Sequence, residues 1–231
     1  MELDFESFVL AAATTSLEDE PAARPHADAI EFRMDLLDGD RDPLAALEAY
    51  DGELPVIATN RTEREGGDAS QGPRRLDVLR AAAEFPAVAA VDVELATVTG
   101  ERNEDGVEGI LPHVRTHNAE VIVSTHDFEH TPRNRLSELL GRTSEYGDVG
   151  KVAVTAQDPG DVLELLRATH QSSSGETPIA TMAMGEAGRH SRVVAPLYGS
   201  KIGYAPVDPA QATAPGQYDL ATIADLIEGL Q

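Results

Sequence analysis

The segment VGKVAVTA (149–156) reads as a buried strand, yet it carries Lys151, one of two lysines in a 231-residue chain with 16 arginines. An exposed lysine is protonated and a poor nucleophile. Burial and nearby cations disfavour that charge, and the freed amine can condense with a ketone or aldehyde to form an imine. A protonated imine withdraws electrons, so a proton on the neighbouring carbon becomes removable. His126, in STHDF, is suited to take that proton and later return one. Glu94, in DVEL, is a candidate to hold the histidine in its working tautomer. Arg61 and Arg192 offer forked donors for a carboxylate.

Other strand-like segments also carry polar groups. Glu31, Arg33 and Asp35 in EFRMD are spaced two apart and would share one face of a strand, as would Asp92 and Glu94. Glu65 precedes two glycines in TEREGG, and Met182 and Met184 lie in MAMGEAGRHSR. Each has a purely structural account. The Glu31–Arg33–Asp35 set suits a salt-bridged plug, Asp92 and Glu94 suit helix caps, and a lone strand-end histidine or methionine pair suits the core. Lys151 could pair with any of these acids. Together, however, five strands deliver polar groups toward one end, and that convergence points to a site.

Two features are set aside. HVRTH places His113 and His117 at helical i, i+4 spacing, which can bind zinc, but no acid lies between them and the expectation is a surface pair without metal. GEAGR is too short for a dinucleotide fingerprint. The second lysine, Lys201 in GSKIGYA, is expected near a barrel end in the eighth strand, where an anion contact is one option.

The elements that must position these residues alternate regularly. Strands are expected at 8–15, 29–37, 55–62, 89–96, 120–128, 149–156, 178–184 and 199–205. Between them, DPLAALEAY, GPRRLDVLRAAAEF, TPRNRLSELLGRTSEY, DVLELLRATH and the terminal DLATIADLIEGL repeat apolar residues at helical spacing, with Asp42 and Pro43 opening the first. Apolar strands alternating with helices imply a parallel sheet covered by helices. Eight units in this length fit a single-domain α/β protein of the (β/α)8 TIM-barrel class over residues 1–231, ahead of an open doubly wound sheet. The C-terminal ends of the strands would then form the concave surface where the polar groups meet.

Composition narrows the setting. The net charge is −23, from 41 acidic and 18 basic residues. The acids are scattered among periodic apolar residues, so they describe an acidic surface and not a disordered tail. Self-repulsion of this kind fades near 1 M salt, where the Debye length is about 3 Å. Scarce lysine with abundant acid therefore suggests a halophilic archaeal source, and nucleic acid and anionic membranes are not expected partners. Without cysteine there can be no disulfide or thiolate chemistry. No membrane span or signal peptide is legible, so a cytoplasmic protein is expected.

In order along the chain, EFRMDLL, RTEREGG, DVEL, STHDFEHTP, KVAV, MAMGEAGRHSR, GSKIGYA and APGQ resemble the type I 3-dehydroquinate dehydratase family over nearly the whole sequence. The resemblance implies a Schiff-base lyase of the shikimate pathway. Lys151 would form an imine with the C3 ketone of 3-dehydroquinate, and His126 would mediate a syn elimination of water, with Glu94 as its orienting partner. Glu31, Arg33, Arg61, Arg192 and Gln217 match substrate-binding positions, with Arg192 on the carboxylate. Met182 and Met184 would line the pocket, and Glu65 and Asp92 would belong to its polar network. Tyr204 stands where the family often has Phe, and Thr213-Ala214 replaces its usual Ser-Ala. The loop 206–217 is expected to be a lid. No metal or organic cofactor is implied; a homodimer is.

Two rivals share some of these features. A class I aldolase would use the same imine lysine in a similar barrel to break a carbon–carbon bond. A non-catalytic barrel could bind a carboxylate metabolite, but would be expected to lose Lys151 or His126.

Overall fold

The computed structural model describes residues 1–37, 39, 41–101, 109–208, 210, 212 and 214–230. Eight strands appear where apolar runs predict them: β1 Val9–Thr14, β2 Ala29–Arg33, β3 Val56–Thr59, β4 Val88–Glu94, β5 Glu120–His126, β6 Val149–Thr155, β7 Ile179–Met184 and β8 Ile202–Pro206. Each pairs in parallel with its sequence neighbours from β1 to β7, and β8 pairs with β1. Between β7 and β8 a single bridge, Ile179 to Ser200, and a 2.7 Å hydrogen bond from Lys201 N–H to the Ile179 carbonyl nearly close the ring. The result is the expected barrel.

Side-chain alternation divides the strands into two faces. Ile30, Phe32, Val56, Val91, Val93 and Val121 point outward and are covered by helix residues such as Leu47, Leu76, Leu79 and Val114. Burying each such Leu or Phe side chain contributes about 1.5–3 kcal/mol. The opposite face fills the lumen with Val9, Ala11, Ile57, Ala90, Ile122, Val149, Ala180 and Ile202. Moving up the inward positions replaces this apolar plug with charge: Glu31 and Arg33 on β2, Asp92 on β4, Ser124 and His126 on β5, and Lys151 on β6.

Aspartates start several helices. Asp42 accepts from Leu44 N–H at 3.0 Å before Pro43–Glu48, Asp158 from Gly160 N–H at 2.6 Å before Pro159–Ser172, and Asp219 from Thr222 N–H at 3.0 Å before Leu220–Glu228. The structure departs from expectation in two places. β2 stops at Arg33, and Met34–Leu36 form a 3-10 turn, so Asp35 leaves the inner face. It clamps Arg33 instead, with Nε–Oδ1 at 3.0 Å and Nη2–Oδ2 at 2.6 Å. Lys201 precedes β8, at the end of the barrel away from the charged mouth, and its ammonium donates to the Glu6 carbonyl.

Candidate active site

Lys151 is 3% exposed, in register with Ser124 of β5 and Ala180 of β7. Its Nζ lies 3.0 Å from Asp92 Oδ2, 3.9 Å from Glu31 Oε1 and 4.0 Å from the centre of the Tyr204 ring. Arg61, two residues beyond β3, shares the same Asp92 oxygen at 2.8 Å. Asp92 Oδ1 accepts from the Ser124 hydroxyl at 2.6 Å, and Arg61 Nη1 also donates to that Ser124 oxygen. Burial alone would raise the Asp92 carboxyl, but Arg61, Lys151, His126 and the Ser124 hydroxyl together hold it well below the usual range. The amine thus stands against two carboxylates, one of which it shares with Arg61. Glu31 is fixed in turn by the Thr59 hydroxyl at 3.1 Å.

His126 ends β5, and its Nδ1 lies 3.0 Å from Glu65 Oε2. This corrects the expected partner. Glu94, the last residue of β4, turns its carboxylate sideways, where Oε1 accepts from the Thr62 N–H at 2.8 Å and the Thr62 hydroxyl at 2.9 Å. Its other oxygen lies 3.7 Å from Arg75 Nη2, so Glu94 ties the end of β3 to the helix Pro73–Ala83. Glu65 reaches the histidine because the chain after β3 folds into the 3-10 turn Glu63–Glu65 and leaves it through Gly66 at φ 79°. A side chain at Gly66 would also strike the Phe128 ring, which stacks on His126 at 6.4 Å.

Among the described residues nothing hydrogen-bonds to His126 Nε2. Burial first, then Arg61, Lys151 and Arg33, push the imidazole well below its usual pKa, outweighing Asp92. It is a neutral base at pH 7.

These groups line a small cavity at the mouth of the barrel. Glu31, Arg33, Arg61, Glu65, His126 and Lys151 form its polar side. Met182, Met184 and Tyr204 form a less polar wall, and Ala214 and Gln217 reach it from the loop after β8. Asp92 lies behind Lys151, Glu94 lies outside the lining, and Thr213 lies outside the described residues. Ser124 and Phe128 escaped the sequence reading; the i, i+2 relation of Ser124 to His126 was the available signal.

Arg192 closes the cavity beside that loop. It is 5% exposed, its Nη2 donates to the Pro215 carbonyl at 3.4 Å, and its Nε has no partner among the described residues. Burial lowers the guanidinium to about 10, which still leaves it charged at neutral pH. Among the described residues no carboxylate forms an ion pair with this buried cation. The loop approaches closely at Gly216, whose φ of 75° and position against the Gly185 carbonyl leave no room for a Cβ.

The sequence profile of the type I 3-dehydroquinase family matches residues 9–231. The 3-dehydroquinate dehydratase of Haloarcula marismortui is 54% identical over 99% of both chains, and that of Halobacterium salinarum is 50% identical over 99% of this chain and 100% of its own. The crystal structure of 3-dehydroquinate dehydratase from Geobacillus kaustophilus superposes with a TM-score of 0.85 at 29% identity, covering 97% of this chain and 91% of the other. With Lys151, His126 and Arg192 gathered at the mouth of the same barrel, the chain belongs to the type I 3-dehydroquinase family.

Proposed function

We propose that this cavity dehydrates 3-dehydroquinate to 3-dehydroshikimate, as a hydro-lyase of the shikimate pathway, through an imine on Lys151. The observation that carries the reading is the placement around one cavity of a buried lysine, a neutral histidine and a buried arginine with no ion-pair partner among the described residues. Arg192 binds the substrate carboxylate, which orients the ring. After Lys151 gives up a proton, its amine attacks C3, forming the C–N bond, and the carbinolamine loses water to give the iminium. Asp92 and Glu31 face that cation and favour it.

His126 takes the C2 proton, and the electron pair becomes the enamine. The imidazolium then protonates the C1 hydroxyl as its C–O bond breaks, releasing water on the same face. Water hydrolyses the product iminium and frees Lys151. Glu65, on Nδ1, holds the imidazole so that Nε2 is the nitrogen that moves the proton. Met182 and Met184 shape the apolar wall, and Gln217 and Ala214 serve as the described part of a lid after β8, residues 209, 211 and 213 of the loop 206–217 lying outside the described residues.

Borohydride reduction in the presence of 3-dehydroquinate, in molar KCl, tests the reading. A stable adduct mapped to Lys151, with 3-dehydroshikimate formed without the reductant, is the expected result. A folded protein without adduct would overturn the imine, and carbon–carbon cleavage products would replace dehydration with aldol chemistry. The proposal extends to a homodimer in the cytoplasm. Light scattering at high salt checks the dimer, and a monomer mass would refute it. Among the described residues no helix is long and apolar enough to cross a membrane.

A further inference from the structure

We infer that Glu84, His113 and His117 hold a divalent transition metal on the outside of the barrel. The i, i+4 histidine pair lies at the end of the helix Ile110–Thr116, and the acid missing between them in sequence arrives from the adjacent helix, as the residue that follows Pro73–Ala83. One nitrogen of each ring and one Glu84 oxygen lie within 4.8 Å of one another, and the two ring centroids are 4.5 Å apart. His113 Nε2 lies 3.3 Å from Glu84 Oε1. Ligands about 2.0–2.1 Å from a tetrahedral zinc stand about 3.3–3.4 Å from one another, so this pair already spans such an edge.

The ring nitrogens are prepared for it. His117 Nδ1 lies 2.9 Å from the His113 carbonyl, which can only accept, so that nitrogen carries the proton and Nε2 keeps its lone pair. A backbone carbonyl on the distal nitrogen is how metal-binding histidines fix their tautomer. His113 Nε2 faces two acceptors, Glu84 Oε1 and the Arg80 carbonyl, each at 3.3 Å. A metal ion takes the place of the proton that would sit between them, and that proton moves to Nδ1.

The position also suits a cation. Arg80 lies in the last turn of Pro73–Ala83, where the helix carbonyls carry partial negative charge, and the chain's net charge is −23. Two imidazoles and one carboxylate select zinc, nickel or copper over calcium or magnesium, with water completing the shell. None of the three residues lines the cavity at the barrel mouth. The ion would tie together two neighbouring helices of the outer layer.

Zinc titration into the metal-free full chain in molar KCl, followed by calorimetry and by thermal melting, tests this. The expected result is one ion bound per chain with a raised melting temperature. His117→Ala and Glu84→Gln should each weaken binding by about 10-fold or more and remove that rise. Both side chains are exposed, and turnover without zinc should match the parent. No binding, or binding equally tight in both variants, would overturn the site.

Discussion

Glu65 Oε2 lies 3.0 Å from His126 Nδ1, a contact made between residues 61 positions apart across the mouth of the barrel. The second carboxylate that could have served, Glu94, is bound to the Thr62 backbone and hydroxyl. The two acids therefore have separable roles, one orienting the base and the other fastening the end of β3 to the next helix.

Exchanging each acid for its amide should separate them. Glu65→Gln should lower kcat by about 10²-fold, the scale of lost acid–base catalysis, while KM moves little. It should also shift the pH profile, because the His126 tautomer loses its carboxylate. Glu94→Gln should instead cost about 1.5–3 kcal/mol of stability through the weakened charge-assisted bonds at Thr62 and Arg75. Kinetics and chemical denaturation, measured on both variants, check the division; equal effects of both on kcat would refute it.

The depressed pKa of His126 gives a pH dependence with a definite sign. The folded state holds the imidazole neutral below its usual value, while the unfolded chain binds a proton near about 6.5. The unfolded state thus carries the extra proton in the window between those values, and stability rises with pH there. The contribution is fully present above about 6.5 and is lost as pH falls toward the folded pKa. Unfolding free energies at pH 5.5 and 7.5, compared with His126→Gln, isolate it. The variant should show the smaller loss on acidification.

Arg192→Met should improve the resting protein and damage the enzyme. The guanidinium is buried with no carboxylate among the described residues, so removing it should raise stability by about 1 kcal/mol or more. With the substrate carboxylate left unpaired, binding should weaken by about 2–5 kcal/mol, visible as a raised KM. A variant that melts earlier and keeps its KM would show that Arg192 has a structural role only.

Tyr204 carries a buried hydroxyl without a hydrogen-bond partner among the described residues, while its ring packs under Lys151 Nζ. Tyr204→Phe keeps the ring and removes the orphaned group. A gain of about 1 kcal/mol in unfolding free energy is expected, with imine trapping on Lys151 unchanged. A loss of stability would mean that the hydroxyl is satisfied in solution.

Local pattern alone determined much of this protein. Short apolar runs alternating with helical repeats specified a barrel, because strand and helix periodicities are properties of neighbouring residues. A lysine in one such run and a histidine at the end of another marked the chemistry, since both residue types are out of place in an apolar strand. The extent of β2 was not legible: EFRMD alternates correctly, but the chain turns at Met34 and Asp35 folds back on Arg33. Nor was the choice between Glu65 and Glu94, which depends on a 3-10 turn and a left-handed glycine after β3 that carry Glu65 past β4 to the end of β5. The burial of Arg192 against Pro215 and the meeting of Glu84 with His113 and His117 were likewise decided only by tertiary packing. Apart from the Arg33–Asp35 pair, each is a relation between side chains far apart in sequence, and no local period encodes it.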